Sequence, residues 1–410
     1  MNVAFNIAKR IAFNRQPSFS RFIIRLSVAA TAVSVAAMII TMSFANGFQK
    51  VVSEKVFSFW GHIRVQHLEA DKALVAEETP IAKNDTVLAT IRNQKEVTHV
   101  QAFATKSAVI EKKKEIEGVL FKGIEADYDS SQLKQFIVKG SWLHFPDSLY
   151  SREILISQPV AQSLQIEVND TINIYFITPG ETTGNYRKLR VAGIFKTGIE
   201  EYDKLFAIGD LRLIQRLSNW EPNEIGGYEI FIKDYKNADS VKKSLNDQLP
   251  QAWEARTIKE IYPNIFDWLN IQNLNKNLIF IIMGIVAIIN LITCLLILVL
   301  ERTKMIGVLK AVGTNNWTIQ QIFLYYASVI TALGIGIGLI AGVGICLLQQ
   351  GTHFITLDES SYYVSYAPIA IVWWQVGLIC LCTAIVCFIS LLLPTLLVRN
   401  VQPVKAIQFK

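Results

Sequence analysis

The sequence predicts an α-helical membrane protein with four transmembrane helices and one large α+β domain inserted between the first and second helices. Hydrophobic residues make up 51% of the 410 residues, and the mean hydropathy of +0.32 is high for a soluble protein. Four segments carry no charged residue and are long enough to cross a bilayer, which takes about 20 apolar residues. These segments are 26–45, 277–300, 319–348 and 360–398. Residues 46–276 have ordinary polarity and therefore form the inserted domain.

The distribution of basic residues predicts the orientation of the chain. Residues 1–25, 301–318 and 399–410 are short and together carry eleven Lys and Arg residues against the single acid Glu301. Short basic segments stay on the cytoplasmic side of a membrane. We therefore expect both termini and the 301–317 connection to be cytoplasmic, and the inserted domain and the 349–368 loop to lie outside.

Apolar periodicity and charge together give the domain boundaries. They are a cytoplasmic elbow 1–21, transmembrane helix 1 at 22–45, the outer domain with stalks 46–275, transmembrane helix 2 at 276–300, a cytoplasmic helix 301–317, transmembrane helix 3 at 318–348, an outer loop 349–368, transmembrane helix 4 at 369–398 and a tail 399–410. Within the outer domain, two strand–helix–strand patterns predict an α+β part at about 60–110 and 225–260. A mainly β part at about 111–224 is inserted into it.

Helical periodicity continues beyond the first predicted span and precedes the second. Phe48, Val52 and Val56 recur every four residues, and Ile265, Trp268 and Leu269 form a matching apolar face. Both stretches predict helical stalks outside the membrane. If the two faces meet across a gap, they line an apolar passage. The alternative is that both faces pack on the outer domain.

The segment ERTKMIGVLKAVG at 301–313 predicts a short amphipathic helix. Met305, Leu309 and Val312 lie at i, i+4 and i+7 with Ile306 beside them, and Gly313 stands where a helix C-cap is expected. Such a helix either lies in the headgroup layer or docks into a groove on a partner. The docking hypothesis predicts that Leu309→Asp weakens the contact with that partner.

This segment resembles the cytoplasmic coupling segment of the MacB/FtsX-like ABC transporter permeases, which reads close to ERxxEIGxLKAxG. Met305 replaces the usual carboxylate of that pattern. Residues 19–49 and 152–203 resemble the same family, and within it the lipoprotein-releasing permeases. The resemblance implies a periplasmic outer domain, an inner-membrane location and an ATPase-coupling helix formed by Glu301, Arg302, Met305, Ile306, Gly307, Leu309, Lys310, Val312 and Gly313.

The resemblance also implies a function and a set of partners. The chain would extract acylated lipoproteins from the outer leaflet of the inner membrane and pass them to a periplasmic carrier. A cytoplasmic ABC ATPase homodimer would bind ATP and Mg, and a second permease copy or a paralogue would complete the complex in contact with membrane lipid. The alternatives are a MacB-like efflux permease and another FtsX-like permease for signalling or cell division.

Two sets of residues are candidates for cargo and carrier. The stalk residues Phe48, Val52, Val56, Ile265, Trp268 and Leu269 would line the cargo route. The Gly/Thr/Pro loop near 178–188 contains Pro179, Gly180, Thr183 and Tyr186 and would contact the carrier; the alternative is a plain hairpin connection.

Catalytic motifs are absent from the sequence. It contains no GxxxxGK[ST] phosphate loop, no HExxH and no GxSxG pattern. All five cysteines lie in the apolar segments. We interpret them as small apolar residues of the membrane helices, and not as members of disulfides or as metal ligands. The sequence therefore predicts a non-catalytic subunit without its own cofactor or metal. Because the membrane orientation accounts for the basic residues, they do not indicate binding to nucleic acid.

Overall fold

The computed structural model describes residues 19–69, 77–113, 115–147, 149–177 and 185–395. Residues 1–18 of the predicted elbow and the predicted tail 399–410 lie outside this part of the chain. The contacts divide the chain into two compact units. We call them the helical unit, with described residues 19–49, 269–356 and 366–395, and the sheet unit, with described residues between 50 and 268 together with 357–365.

The described elements begin and end as follows. The α-helices are α1 Phe19–Trp60, α2 Asp85–Arg92, α3 Ser131–Lys134, α4 Gln158–Ser163, α5 Glu200–Leu205, α6 Leu211–Leu217, α7 Ala238–Asn246, α8 Ile258–Ile261, α9 Pro263–Glu301, α10 Thr303–Ala311, α11 Asn316–Thr352, α12 Glu359–Tyr362 and α13 Trp373–Thr395. The strands are β1 Ile63–His67, β2 Ile81–Ala82, β3 Val97–Lys112, β4 Glu115–Ile124, β5 Ile137–Gly140, β6 Glu153–Ser157, β7 Thr171–Phe176, β8 Asn185–Phe195, β9 Phe206–Asp210, β10 Glu224–Ile225, β11 Gly227–Ile232 and β12 Trp253–Thr257.

Three of the described helices are long and apolar enough to cross a membrane: α1, α9 and α11. The part of α13 whose side chains are described, Trp373–Ile389, is apolar but shorter than a span requires. The fourth transmembrane helix therefore stays a prediction. The helices α1 and α9 also extend well beyond the apolar segments 26–45 and 277–300, because α1 continues to Trp60 and α9 begins at Pro263.

In the helical unit, a glycine row on α11 packs against α1. A Cβ atom added to Gly334 would lie 2.7 Å from Cβ of Thr31, and one added to Gly338 would lie 2.6 Å from the Ala32 carbonyl oxygen. Small residues allow two helices to approach closely within a membrane. The glycine row therefore serves packing within one chain.

The Asn46-Gly47 pair marks a second close approach in the helical unit. The Ala370 backbone N–H donates to the Ser43 carbonyl over 2.9 Å, and Asn46 Nδ2 donates to Gln375 Oε1. A Cβ atom on Gly47 would lie 2.4 Å from the Pro368 carbonyl oxygen. Only glycine fits at this position. Gly47 lies within the 19–49 stretch that resembles the family, and close packing explains the need for glycine there.

The sheet unit is built on one ten-stranded sheet with the order β12-β1-β11-β3-β4-β9-β6-β8-β5, and β7 pairs with β3 and β8. The 16-residue strand β3 joins its two halves. Its first half pairs with β11, and its second half pairs with both β4 and β7. The predicted α+β part and the predicted insert therefore share one sheet.

Local sequence signals place several elements correctly. Ser157 caps α4, because its hydroxyl accepts a hydrogen bond from the Val160 N–H, and a proline lies in the first turn. In β7 the alternating residues Ile172, Ile174 and Phe176 are all buried in the main core of the sheet unit. Both features are those that the local sequence favours, a serine before a turn that contains proline and alternating apolar residues in a strand.

Candidate functional site

The 301–313 segment forms the predicted helix, α10. Its C-terminus has the hydrogen bonds of a Schellman motif, in which the Gly313 N–H donates to the Lys310 carbonyl and the Thr314 N–H donates to the Leu309 carbonyl. Gly313 has φ +87°, a conformation that a residue with a Cβ atom rarely adopts. The short helix and its glycine C-cap are therefore confirmed.

Three of the four residues of the predicted apolar stripe of α10 pack against the chain itself, and the fourth, Val312, is exposed. Ile306 is fully buried, and Met305 and Leu309 are partly buried against a cluster of α9 and α11 side chains that includes Leu298 and Phe323. In this structure Ile306 is covered by the chain's own helices, and the docking of this stripe into a partner groove stays a prediction. The covering side chains belong to α9 and α11, the helices to which α10 is connected.

A different face of α10 is open. Val308 is 53% exposed and Val312 is 80% exposed, and Lys304 and Ala311 are exposed beside them. Trp317, at the start of α11, is 57% exposed. The periodicity of the sequence placed Val312 on the predicted stripe and did not indicate the exposed face that it shares with Val308. A helix with apolar residues at 305, 306, 308, 309 and 312 has two possible apolar sides. Only the packing decides between them.

The two stalk helices contact each other in the sheet unit. The rings of Phe57 on α1 and Phe266 on α9 are stacked with their centroids 5.8 Å apart. Five of the six predicted cargo-route residues are buried, namely Phe48, Val52, Val56, Ile265 and Leu269, and Trp268 is partly buried. The helical continuation of both stretches is confirmed, and their apolar faces are covered in this structure.

The end of α1 is held by a fully buried lysine. Lys122 of β4 donates a hydrogen bond to the Phe59 carbonyl, one of the unpaired carbonyls at the C-terminus of the helix. Its ammonium also pairs with Glu229 Oε1 at 2.6 Å, and both side chains are completely buried. Burial lowers the pKa of Lys122 to about 8, and the Glu229 carboxylate opposes that shift. The lysine places a positive charge at the negative end of the helix dipole.

A second buried ion pair also lies near Trp60. Arg64 Nη2 is 2.6 Å from Glu78 Oε1, and Glu78 also accepts from the Thr105 backbone N–H. Both cations lie close to the Trp60 ring, with Arg64 at 4.6 Å and Lys122 at 4.2 Å from its centroid. Both distances allow cation–π attraction. The last residue of α1 is therefore buried next to charged side chains from β1 and β4. Sequence analysis missed these residues, because a single charged residue in a strand gives no signal of burial.

His62, two residues after the end of α1, is neutral. Burial lowers its pKa to about 4. Its Nδ1 atom accepts a hydrogen bond from the Ile232 backbone N–H, which requires the unprotonated nitrogen. Its ring is stacked on Phe57 at 4.3 Å. His62 is therefore a structural residue that joins the stalk end to β11.

The predicted carrier loop lies mostly outside the described residues, because Pro179, Gly180 and Thr183 fall in 178–184. Tyr186 is described and is 50% exposed, and its ring lies 5.8 Å from that of Tyr175 on the neighbouring strand. The contact with a carrier stays a prediction. No group of three or more potential metal ligands occurs within the described ranges.

Comparisons with known proteins identify the family. The FtsX-like permease C-terminal model matches residues 277–403, and the MacB-like periplasmic core domain model matches residues 26–248. The second match covers more than half of the chain.

Three relatives are lipoprotein-releasing system transmembrane proteins. LolC of Neisseria meningitidis serogroup B is 23% identical over 97% of this chain and 96% of the relative. LolC of Buchnera aphidicola subsp. Schizaphis graminum is 24% identical over 83% of this chain and 82% of the relative. LolE of Haemophilus influenzae is 20% identical over 99% of both chains. Together with the long apolar helices, these relatives indicate a multi-pass inner-membrane protein. The chain belongs to the MacB/FtsX-like family of ABC transporter permeases.

Proposed function

We propose that this chain is the permease subunit of an ATP-driven complex that extracts lipoproteins from the outer leaflet of the inner membrane and hands them to a periplasmic carrier. The relatives named as lipoprotein-releasing proteins support this reading over nearly the whole chain. The observation that carries it is the continuation of α1 and α9 from apolar segments into stalks with apolar faces. In this proposal α13 is the fourth transmembrane helix, and both termini are cytoplasmic.

The physical need for such stalks comes from the cargo. Exposing an acyl chain to water costs about 0.8 kcal/mol per CH₂ group, so three chains cost on the order of 30 kcal/mol. A lipid anchor therefore leaves the bilayer only along an apolar route. Phe48, Val52, Val56, Ile265, Trp268 and Leu269 can supply such a route once their faces separate. The energy for the separation would come from ATP.

The ATPase is proposed as a separate cytoplasmic homodimer that binds ATP and Mg. The connection between α9 and α11 contains α10, whose exposed face offers Val308 and Val312 to that partner. The buried face of α10, with Ile306, transmits the movement to the α9 and α11 side chains. A second permease, identical or paralogous, completes the complex, with lipid around it.

The alternatives are a MacB-like efflux permease and an FtsX-like permease for signalling or cell division. Purification of the chain with its native partners separates them. Lipoprotein release requires a co-purifying ATPase and a bound acylated lipoprotein. Efflux predicts an ATPase without lipoprotein, and a purely regulatory role predicts a soluble periplasmic partner instead of cargo.

Photo-crosslinking tests the cargo route. A photoreactive residue at Val56 or Ile265 is expected to capture an acylated lipoprotein in the assembled complex, because both side chains lie on the stalk faces. The same residue at Lys112, at the end of β3, serves as the control and should capture none. The measurement is mass spectrometry of the crosslinked product. Capture at Lys112 with none at the stalk positions would place the cargo elsewhere.

Cysteine accessibility tests the orientation. In a background without the five native cysteines, cysteines at Ser130 and Thr352 are expected to react with an impermeant maleimide from outside intact inner-membrane vesicles of periplasmic-out orientation. A cysteine at Thr314, next to α10, should react only after the membrane is permeabilised. The expectation follows from the basic residues of the short segments. Labelling of Thr314 from outside would reverse the topology.

A further inference from the structure

The segment Leu357–Ser365, between α11 and α13, belongs to the sheet unit. Its sequence offered only two acidic residues as a signal of an outer loop. In the structure Glu359 lies between two lysines of distant elements. Lys196, just after β8, forms an ion pair and hydrogen bond with Glu359 Oε2, and Lys55 Nζ of α1 lies 3.8 Å from Glu359 Oε1. About a quarter of the Glu359 side chain is exposed.

Tyr363 makes a second set of contacts from the same segment. Lys55 Nζ donates to the Tyr363 carbonyl over 2.8 Å, and the Tyr363 hydroxyl donates to Glu201 Oε1 over 3.0 Å. The Tyr363 ring packs edge-to-face on Trp268 of α9 with the centroids 5.4 Å apart. Tyr363 has φ +58°, which is uncommon for a residue with a side chain. These contacts compensate for that conformation.

The turn that contacts Glu359 is also held by Asp203. Asp203 accepts hydrogen bonds from the backbone N–H groups of Thr197 and Gly198 over 2.8 and 2.9 Å and is buried. A Cβ atom on Gly198 would lie 2.3 Å from Glu359 Oε1. Glycine at this position therefore lets the carboxylate approach the turn. The Asp203 carboxylate fixes the turn that carries Lys196.

Together these contacts join one short segment to both stalk helices, through Lys55 on α1 and Trp268 on α9. Such a bridge opposes any movement that separates the two helices. We propose that Leu357–Ser365 is a latch, held by Glu359 and Tyr363, which has to release before the apolar faces of the stalks open. The link to cargo rests on the proposed function. The latch itself is an intramolecular contact that can be measured without cargo or ATPase.

The test uses Glu359→Gln in the full-length chain, purified in detergent. Hydrogen–deuterium exchange of the amides in 357–365 is expected to accelerate by about tenfold, because the charged contacts to Lys55 and Lys196 are lost. A cysteine at Val52, which is fully buried, should then react about tenfold faster with a thiol probe, in a background without native cysteines. Tyr363→Phe, which removes only the hydroxyl contact with Glu201, should change both rates in the same direction by less.

Two controls define the result. Glu254→Gln removes the same charge from a pair of similar exposure, with Arg256 in β12, and should leave both rates unchanged. A cysteine at Val65, buried in the sheet core, should stay unreactive in Glu359→Gln. Unchanged exchange and unchanged Val52 labelling in Glu359→Gln would overturn the latch. Equal acceleration at Val52 and Val65 would show general unfolding and would overturn it as well.

A separate experiment measures the effect of the latch on lipoprotein release. Glu359→Gln is expected to lower the amount of lipoprotein released for each ATP hydrolysed, because the stalks open without waiting for the ATPase stroke. If the wild-type complex releases no lipoprotein, the proposed function fails, and the exchange and labelling results still decide whether the latch exists.

Discussion

Val308→Asp is expected to remove the ATPase from the purified complex while the chain stays at its normal level in the membrane. Val308 lies on the exposed face of α10, where 53% of it is accessible. If this face docks on the ATPase, the substitution buries an unpaired carboxylate at the contact, which costs on the order of 3 kcal/mol or more. That loss corresponds to roughly a hundredfold weaker binding. Co-purification of the ATPase and the membrane level of the chain are the two measurements.

Leu309→Asp is the informative comparison. Leu309 packs against the α9 and α11 cluster, so its replacement is expected to disturb the helical unit and lower the membrane level of the chain. Val308→Thr, which keeps the shape of the side chain without a charge, should retain most of the ATPase. Normal ATPase binding in Val308→Asp, together with its specific loss in Leu309→Asp at full membrane level, would return the docking surface to the stripe predicted from the sequence.

Lys122→Ala is expected to destabilise the sheet unit by about 3–5 kcal/mol, because Glu229 would stay buried without its partner charge. The Phe59 carbonyl at the end of α1 would lose its donor as well. The measurement is the free energy of unfolding of the full-length chain in detergent, followed by hydrogen exchange of β4 and β11.

The combination of Lys122→Met and Glu229→Gln tests the cause of that loss. It removes both charges, keeps the volume and leaves a hydrogen-bonding group facing Tyr128 and Gln101, so most of the stability should return. Arg256→Ala is the control for an ion pair near the surface and should cost at most about 1 kcal/mol. A loss of that size in Lys122→Ala would mean that Glu229 becomes hydrated or protonated without difficulty.

Sequence patterns predict those features that depend on neighbours along the chain. The cap of Ser157, the alternation in β7 and the glycine after α10 are all set by residues a few positions apart. The length of the stalks was also predictable, because helical periodicity continued past the apolar segments. Each of these signals reflects hydrogen bonding or burial within one element.

Features that join distant parts of the chain could not be predicted in this way. The partner of Lys122 is Glu229, more than a hundred positions away, and Glu359 meets Lys196 across a similar separation. The side of α10 that packs inward depends on where α9 and α11 place their side chains. A single sequence contains the residues of such contacts without indicating how they are paired.

The sharing of β3 between both halves of the sheet has a consequence for how this domain can change size during evolution. Residues 97–103 of β3 need β11, and residues 103–112 need β4 and β7. Excision of 111–224 would leave the backbone N–H and C=O groups in the second half of β3 without partners, and an unpaired strand edge invites aggregation. The segment is therefore not a removable module. Relatives with smaller or larger domains are expected to differ in the lengths of hairpins and loops, while β3 and its neighbours fold and unfold as one cooperative block.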